Sequence, residues 1–244
     1  MIIDMHIQRG FTLIELVMVI IIIGILAGIA TMKMTSTIDT ARYEATMAEM
    51  ETLARAIVGS PDTYTEGAQS DFGYVGDIGA LPPDLDALAF NPGYATWDGP
   101  YLSGTFDNTD FKKDAWNVDF IYGGTFIRSV GSGSNIDKII AAGASELLAN
   151  AIYGFLLDGN NTPPGNVYAD SVLVDLIFPD GTGGVAHASV APGADGGFSF
   201  SGVPIGNHIL RVLYLPVNDT VDYDLAIIPG NDAYVTLNLP ADLW

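Results

Sequence analysis

Residues 11–32 read FTLIELVMVIIIIGILAGIATM, 22 residues with one charge, at Glu15. Rising about 1.5 Å per residue as a helix, such a run covers a hydrocarbon core of about 30 Å. The apolar core of a secretory signal is shorter, roughly 7–15 residues, and leads to a cleavage site. Here the apolar positions instead continue near helical spacing through Ile38, Ala41, Ala45, Ala48, Met50, Leu53, Ala54, Ile57 and Val58. Asp39, Arg42, Glu44, Glu49, Glu51 and Arg55 fill the other positions, and no proline intervenes between Phe11 and Pro61. The pattern predicts one helix ending near Gly59, roughly 70 Å long, with an apolar half that anchors and an amphipathic half that packs on a soluble domain.

Glu15 stands out because a carboxylate in an apolar helix is costly and persists only with a partner or a task. One reading is a snorkelling acid at the interface. The other joins it to the chain's beginning: a cut after Gly10 would free an amine on Phe11, and the Glu15 carboxylate of a neighbouring subunit would neutralise it within a helix bundle. The stretch Gln8-Arg9-Gly10-Phe11-Thr12-Leu13-Ile14-Glu15 resembles the processing motif of type IV prepilins and of the pseudopilins of type II secretion. This resemblance covers about the first 60 residues. It implies that a prepilin peptidase/methyltransferase cuts between Gly10 and Phe11 and methylates the new amine, with Glu15 serving assembly. It also implies a homo-oligomeric filament whose other partners are an inner-membrane assembly platform and minor pseudopilins. Met32 stands where that family often has a kinking proline, and Asp4 offsets Arg9 in the leader. Arg9 and the initiator amine favour a cytoplasmic leader, hence a single-pass protein of the inner membrane with periplasmic or extracellular C-terminal domains.

Composition narrows the alternatives. About half of the 244 residues are apolar, enough to build cores. The formal net charge of -20 repels a phosphate backbone and argues against nucleic acid as a partner. There is no cysteine, so disulfides and thiolate metal sites are excluded.

From Pro61 to about Ile140 the chain turns to Gly, Pro, Asp and aromatics, consistent with loops and short strands laid on the helix. Gly79 to Leu88 reads as a turn and a short helix with Asp84 near its start and Leu81, Leu85 and Leu88 on one face. Val118, Phe120 and Tyr122 alternate as in a half-buried strand. Gly99-Pro100-Tyr101-Leu102 and Asp114-Ala115-Trp116-Asn117 are similar to stretches of the major pseudopilin family. In that family calcium staples the loop after these strands, so the resemblance implies a Ca2+ site in the stretch from Ser129 to Asp137, with Asp137 and Ser129 as ligands. A flexible Gly/Ser loop is the alternative. The Asp107-Asn108-Thr109-Asp110 run reads as a solvated turn.

Beyond a short helix or linker at Ile139–Leu148, strands are expected at Ala151–Leu157, Ser171–Phe178, Gly197–Phe200, His208–Leu215, Tyr223–Ile228 and Ala233–Leu239, separated by Gly- and Asp-bearing turns. They predict a small antiparallel β-sandwich. The passage from Asp195 to His208, with alternating Phe198 and Phe200 before Val203-Pro204-Ile205-Gly206, resembles carboxypeptidase regulatory-like, transthyretin-shaped domains. That resemblance implies display or adhesion, with a protein or glycan ligand.

No catalytic residues emerge, and the expectation is a protein that is not an enzyme. His6 lies in the leader, and His187 and His208, in a loop and at a strand start, have no nucleophile or metal partner in view and read as surface or hairpin residues. The expected class is α+β. The segments are a leader at 1–10, a membrane and assembly helix at 11–32, its soluble half at 33–60, a pseudopilin-like region at 61–140, a linker at 141–150 and a β-domain at 151–244. The expected function is that of a filament subunit, as a type II secretion pseudopilin or as a surface type IV pilin displaying an adhesive domain.

Overall fold

The structure, a computed structural model, describes residues 12–65, 68–102, 110–240 and 243–244. The expected leader, the Gly10–Phe11 bond and most of the 107–110 turn lie outside the described residues. The chain divides into two units, the first ending at Ala45 and the second running from Thr46 to Trp244.

Helix α1 (Leu13–Val58) contributes to both units. In the first, every large apolar side chain from Leu13 to Ile29 is between 45% and 82% exposed. Among the described residues no helix is long and apolar enough to cross a membrane; residue 11 and the side chains of 30–32, both ends of the expected 11–32 segment, lie outside the described ones. In the second unit the helix becomes a core element: Thr46, Met50, Leu53 and Ile57, spaced three and four residues apart, are buried. It stops at Gly59, whose φ of 77° is left-handed and whose N–H donates to the Arg55 carbonyl at 2.7 Å. The Asp71 carboxylate then accepts from the Ser60 N–H at 2.9 Å.

Two short strands follow, β1 (Tyr64–Thr65) and β2 (Ala68–Gln69), then α2 (Gly73–Ile78). Leu85–Leu88 forms a 3-10 turn capped by Asp84, which accepts from the Ala87 N–H at 3.1 Å, while Leu85 and Leu88 enter the core. β3 (Ile121–Tyr122), β4 (Phe126–Ser129) and β5 (Ile136–Ile139) make an antiparallel meander. The strand expected through Val118 begins only at Ile121, because Asn117 is left-handed (φ 64°) and breaks the extended run. A first core unites Met50, Leu53 and Ile57 with Tyr74, Ile78, Leu88, Ile127 and Leu147. Leu147 belongs to α3 (Ala144–Leu148), so the 141–150 linker holds a short helix docked in that core.

The rest of the second unit holds β6 (Asn150–Leu157), α4 (Gly165–Tyr168), β7 (Val172–Pro179), β8 (Val185–Val190), β9 (Gly197–Val203), β10 (Gly206–Tyr214), β11 (Asp219–Ile227) and β12 (Ala233–Asn238). They form one sheet ordered β11-β10-β7-β8 and another ordered β12-β6-β9. Ile152, Leu156, Phe198 and Leu237 from one meet Val174, Leu176, Leu210 and Val212 from the other in a second core. One expectation is corrected: β12 pairs with β6 in parallel, from Ala233↔Ile152 to Asn238↔Leu157. The chain reaches β12 only after passing through the opposite sheet, and no hairpin turn imposes the antiparallel direction. The two cores share one compact unit; Ile205, in the β9–β10 connection, is buried in the first core, and its N–H donates to the Leu147 carbonyl at 2.8 Å.

Candidate functional site

Three sets of residues carry functional expectations. At the start of α1, Thr12 precedes the first helical residue and its hydroxyl accepts from the Glu15 N–H at 3.3 Å. The same hydroxyl faces the Glu15 carboxylate at 3.5 Å. Thr12 caps the helix from the N-terminal side, its hydroxyl satisfying an amide that has no partner within the helix, and Glu15 sets a carboxylate near the positive end of the helix dipole. Glu15 thus helps start the helix within its own subunit while remaining exposed. Gly10 and Phe11, the expected processing residues, lie outside the described residues.

The second set is the loop assigned to calcium by resemblance. Ser129 and Asp137 flank it, but the structure does not bring them together. In the β4–β5 ladder Ser129 pairs with Ile136 and Arg128 with Asp137, so Ser129 and Asp137 point to opposite faces. Asp137 takes a two-pronged contact from Arg128, at 2.6 and 2.9 Å. Ser129 is buried and donates to Asp114 at 2.5 Å. The pair does not fit a shared cation, which requires six to eight oxygens turned to one point. Among the described residues no group of three or more His, Asp or Glu is disposed to hold a metal.

What holds this loop is Asp114, to which the sequence alone attaches no role. Its carboxylate accepts from the Trp116 and Val118 N–H groups at 2.9 Å, from Gly131 N–H at 3.1 Å and from the Ser129 hydroxyl. Burial pushes this carboxyl up, but the Ser129 hydroxyl and the Val118, Trp116 and Gly131 amides outweigh it and hold it below the usual carboxylate range. Helix α1 joins the arrangement through Thr46, whose hydroxyl accepts from the Ala115 N–H at 3.1 Å, and through the Glu51–Lys138 ion pair. An Asp with an Asn three residues on, two residue types favoured in turns, is the signal in the sequence; the structure puts that Asn in the left-handed region.

The histidines make up the third set. His187 lies on β8 rather than in a loop and contacts Asp175 through Nδ1 at 2.8 Å, with Ser189 donating to the other oxygen of the same carboxylate. Ser189 and His187 both address Asp175, an order unlike that of a nucleophile activated by its base. His208 is not a surface residue: it is 2% exposed inside β10, and its Nε2 donates to the Pro204 carbonyl at 2.8 Å. Its Nδ1 has no hydrogen-bond partner among the described residues. Burial pulls its pKa below the ordinary histidine value, against the smaller opposing effect of the Pro204 bond.

Comparison with known proteins locates the clearest family signal at the N-terminus. Residues 5–31 match the family model described as the prokaryotic N-terminal methylation motif, which includes Gly10, Phe11 and Glu15. No curated protein matches the chain. Among solved structures, a streptococcal ancillary pilin aligns at 18% identity over 38% of this chain and 30% of its own, with a TM-score of 0.26. The major pilin subunit of Bacillus cereus aligns at 11% identity over 46% of this chain and 36% of its own, with a TM-score of 0.25. This chain therefore spans about a third of the length of either structure.

Proposed function

We propose that this chain is the structural subunit of a type IV pilus-like filament, made as a membrane-associated precursor. The observation that carries the reading is a methylation motif running directly into a helix whose large apolar side chains are exposed from Leu13 to Ile29. A helix apolar on all sides needs either lipid or other helices around it. In the precursor the 11–32 segment sits in the cytoplasmic membrane. After cleavage between Gly10 and Phe11, bundling with the same segment of neighbouring subunits replaces lipid. Glu15 exchanges its contact with Thr12 for the methylated amine of an adjacent subunit. The second unit stays on the extracytoplasmic side.

Between the two kinds of filament, a type II secretion pseudopilus is the reading we adopt. Its support is the likeness of the Gly99–Leu102 and Asp114–Asn117 stretches to the major pseudopilin. Glu15→Leu tests the assembly step in cells: expression and membrane insertion are expected to persist while sheared or cross-linked filaments disappear. Filaments of normal abundance in the Glu15→Leu variant would remove the proposed pairing. Long surface fibres seen by electron microscopy would favour a surface pilus over the secretion pseudopilus.

A further inference from the structure

The outer face of the β12-β6-β9 sheet carries a row of aromatic rings over a groove. Tyr153 and Phe155 project outward from the central strand β6, 44% and 52% exposed. On one side Tyr234 of β12, directly opposite Tyr153, stacks on it with ring centres 5.5 Å apart and planes 23° from parallel. On the other side β9 offers only small residues, Ser199 opposite Tyr153 and Gly197 opposite Phe155. Both rings are thus left open toward β9, over a groove of about 480 Å³ whose lining also includes Val190, Ala191 and Asp195. Asp195 is exposed and uses one carboxylate oxygen to accept from the Gly197 N–H at 3.0 Å.

We propose that this groove binds a neutral glycan, whose pyranose C–H faces lie on Tyr153 and Phe155 while its hydroxyls bond Ser199 and Asp195. The volume falls within the range of small-ligand sites, about 300–1,000 Å³. Charge excludes anionic ligands: from residue 150 to the end Arg211 is the only Lys or Arg in the sequence, and it is paired with Asp222. A quaternary ammonium needs rings converging on one point, whereas Tyr153 and Phe155 lie two residues apart on one strand, about 7 Å, and form a wall. A protein partner fits less well. Taking ~200 Å² per aromatic side chain, the exposed parts of the three rings total about 350 Å², against roughly 800 Å² per side in a standard protein interface. A polyhydroxylated ligand with apolar faces matches both the rings and the Ser199 and Asp195 oxygens that line the groove beside them.

The groove does not depend on the filament reading, and the test keeps the two apart. The purified full-length chain in detergent is titrated calorimetrically with cellohexaose, maltohexaose, mannohexaose and chitohexaose, with choline as the cationic control. Binding of at least one hexasaccharide is expected, weakened about tenfold by Tyr153→Ala or Phe155→Ala. Asp195→Asn, exposed and able to keep the Gly197 contact, is expected to weaken it severalfold with an unchanged melting temperature. Ser199→Tyr fills the groove from an exposed position and is expected to abolish binding. Glu15→Leu is expected to bind as the parent does, whatever becomes of filaments. Failure of all four sugars to bind, choline binding in their place, or undiminished binding by the folded groove variants would overturn the proposal.

Discussion

Asp114 shows how much structure one carboxylate organises when four donors converge on it in a buried loop. Removing it leaves the Trp116, Val118 and Gly131 amides and the Ser129 hydroxyl without their acceptor. Asp114→Ala is therefore expected to lower the unfolding free energy by at least about 2 kcal/mol, measured by urea titration. A chelator is expected to leave the melting temperature unchanged, because protein donors alone satisfy this carboxylate. Since the folded carboxyl is held below its unfolded value of about 3.9, its contribution is present above that pH and lost as pH falls through the folded value. His208 responds in the same direction at higher pH. Its folded pKa lies below the unfolded value of about 6.5, so the unfolded chain binds the proton first and stability declines as pH falls below that value. His208→Leu is expected to flatten the part of the stability profile between about pH 5 and 7; a slope unchanged by the substitution would assign it to other groups. The burial of His208 is not legible in the sequence, where a polar residue at a strand start reads as a surface or hairpin residue. It is buried because the alternation of β10 places it on the core-facing side with Gly206, Leu210 and Val212.

Among the elements, helix α1 was the most legible, because its periodicity and its terminal glycine agree. Gly59 adopts a left-handed conformation, and a Cβ there would lie 2.1 Å from the Asp71 carbonyl oxygen. Gly59→Ala is expected to destabilise the chain by more than about 1 kcal/mol, read from thermal or urea unfolding; an unchanged midpoint would contradict this account of the helix end. The six strands named in the last part of the chain are all present, because alternating Leu, Val, Ile and Phe between Gly- and Asp-bearing turns is a strong signal. Strand β8 was missed. Its Val185-Ala186-His187-Ala188-Ser189-Val190 lacks a run of large apolar residues, and its place at a sheet edge, paired among the described residues with β7 alone, asks for none. The parallel β6–β12 pairing was equally illegible, since strand direction follows from the path through both sheets rather than from residues within either strand. The loop before β3 was misread for a different reason. Val118 and Phe120 suggest alternation, but Asp114 takes the Val118 amide and Asn117 turns the chain, so local hydrogen bonds override the extended pattern.

Across the whole molecule the sequence separates two chemistries: an N-terminal stretch of apolar residues, and a strongly acidic remainder that builds two cores. The first overlaps the stretch, residues 5–31, that matches the prokaryotic N-terminal methylation motif. Sequence alone singles out Glu15, because a carboxylate in an apolar run is unusual, and does not single out the groove beside Tyr153, because that depends on cross-strand neighbours. Neither Gly197 nor Ser199 announces a binding surface alone; only the register that sets them opposite Phe155 and Tyr153 does so. The central claim, a processed filament subunit, is tested most directly by intact-mass and N-terminal analysis of the protein purified from its native membranes, compared with cells lacking the prepilin peptidase. The account predicts a chain beginning at Phe11 and heavier by one methyl group, replaced by the uncut form when the peptidase is absent. A chain still joined through the Gly10–Phe11 bond in normal cells would contradict it.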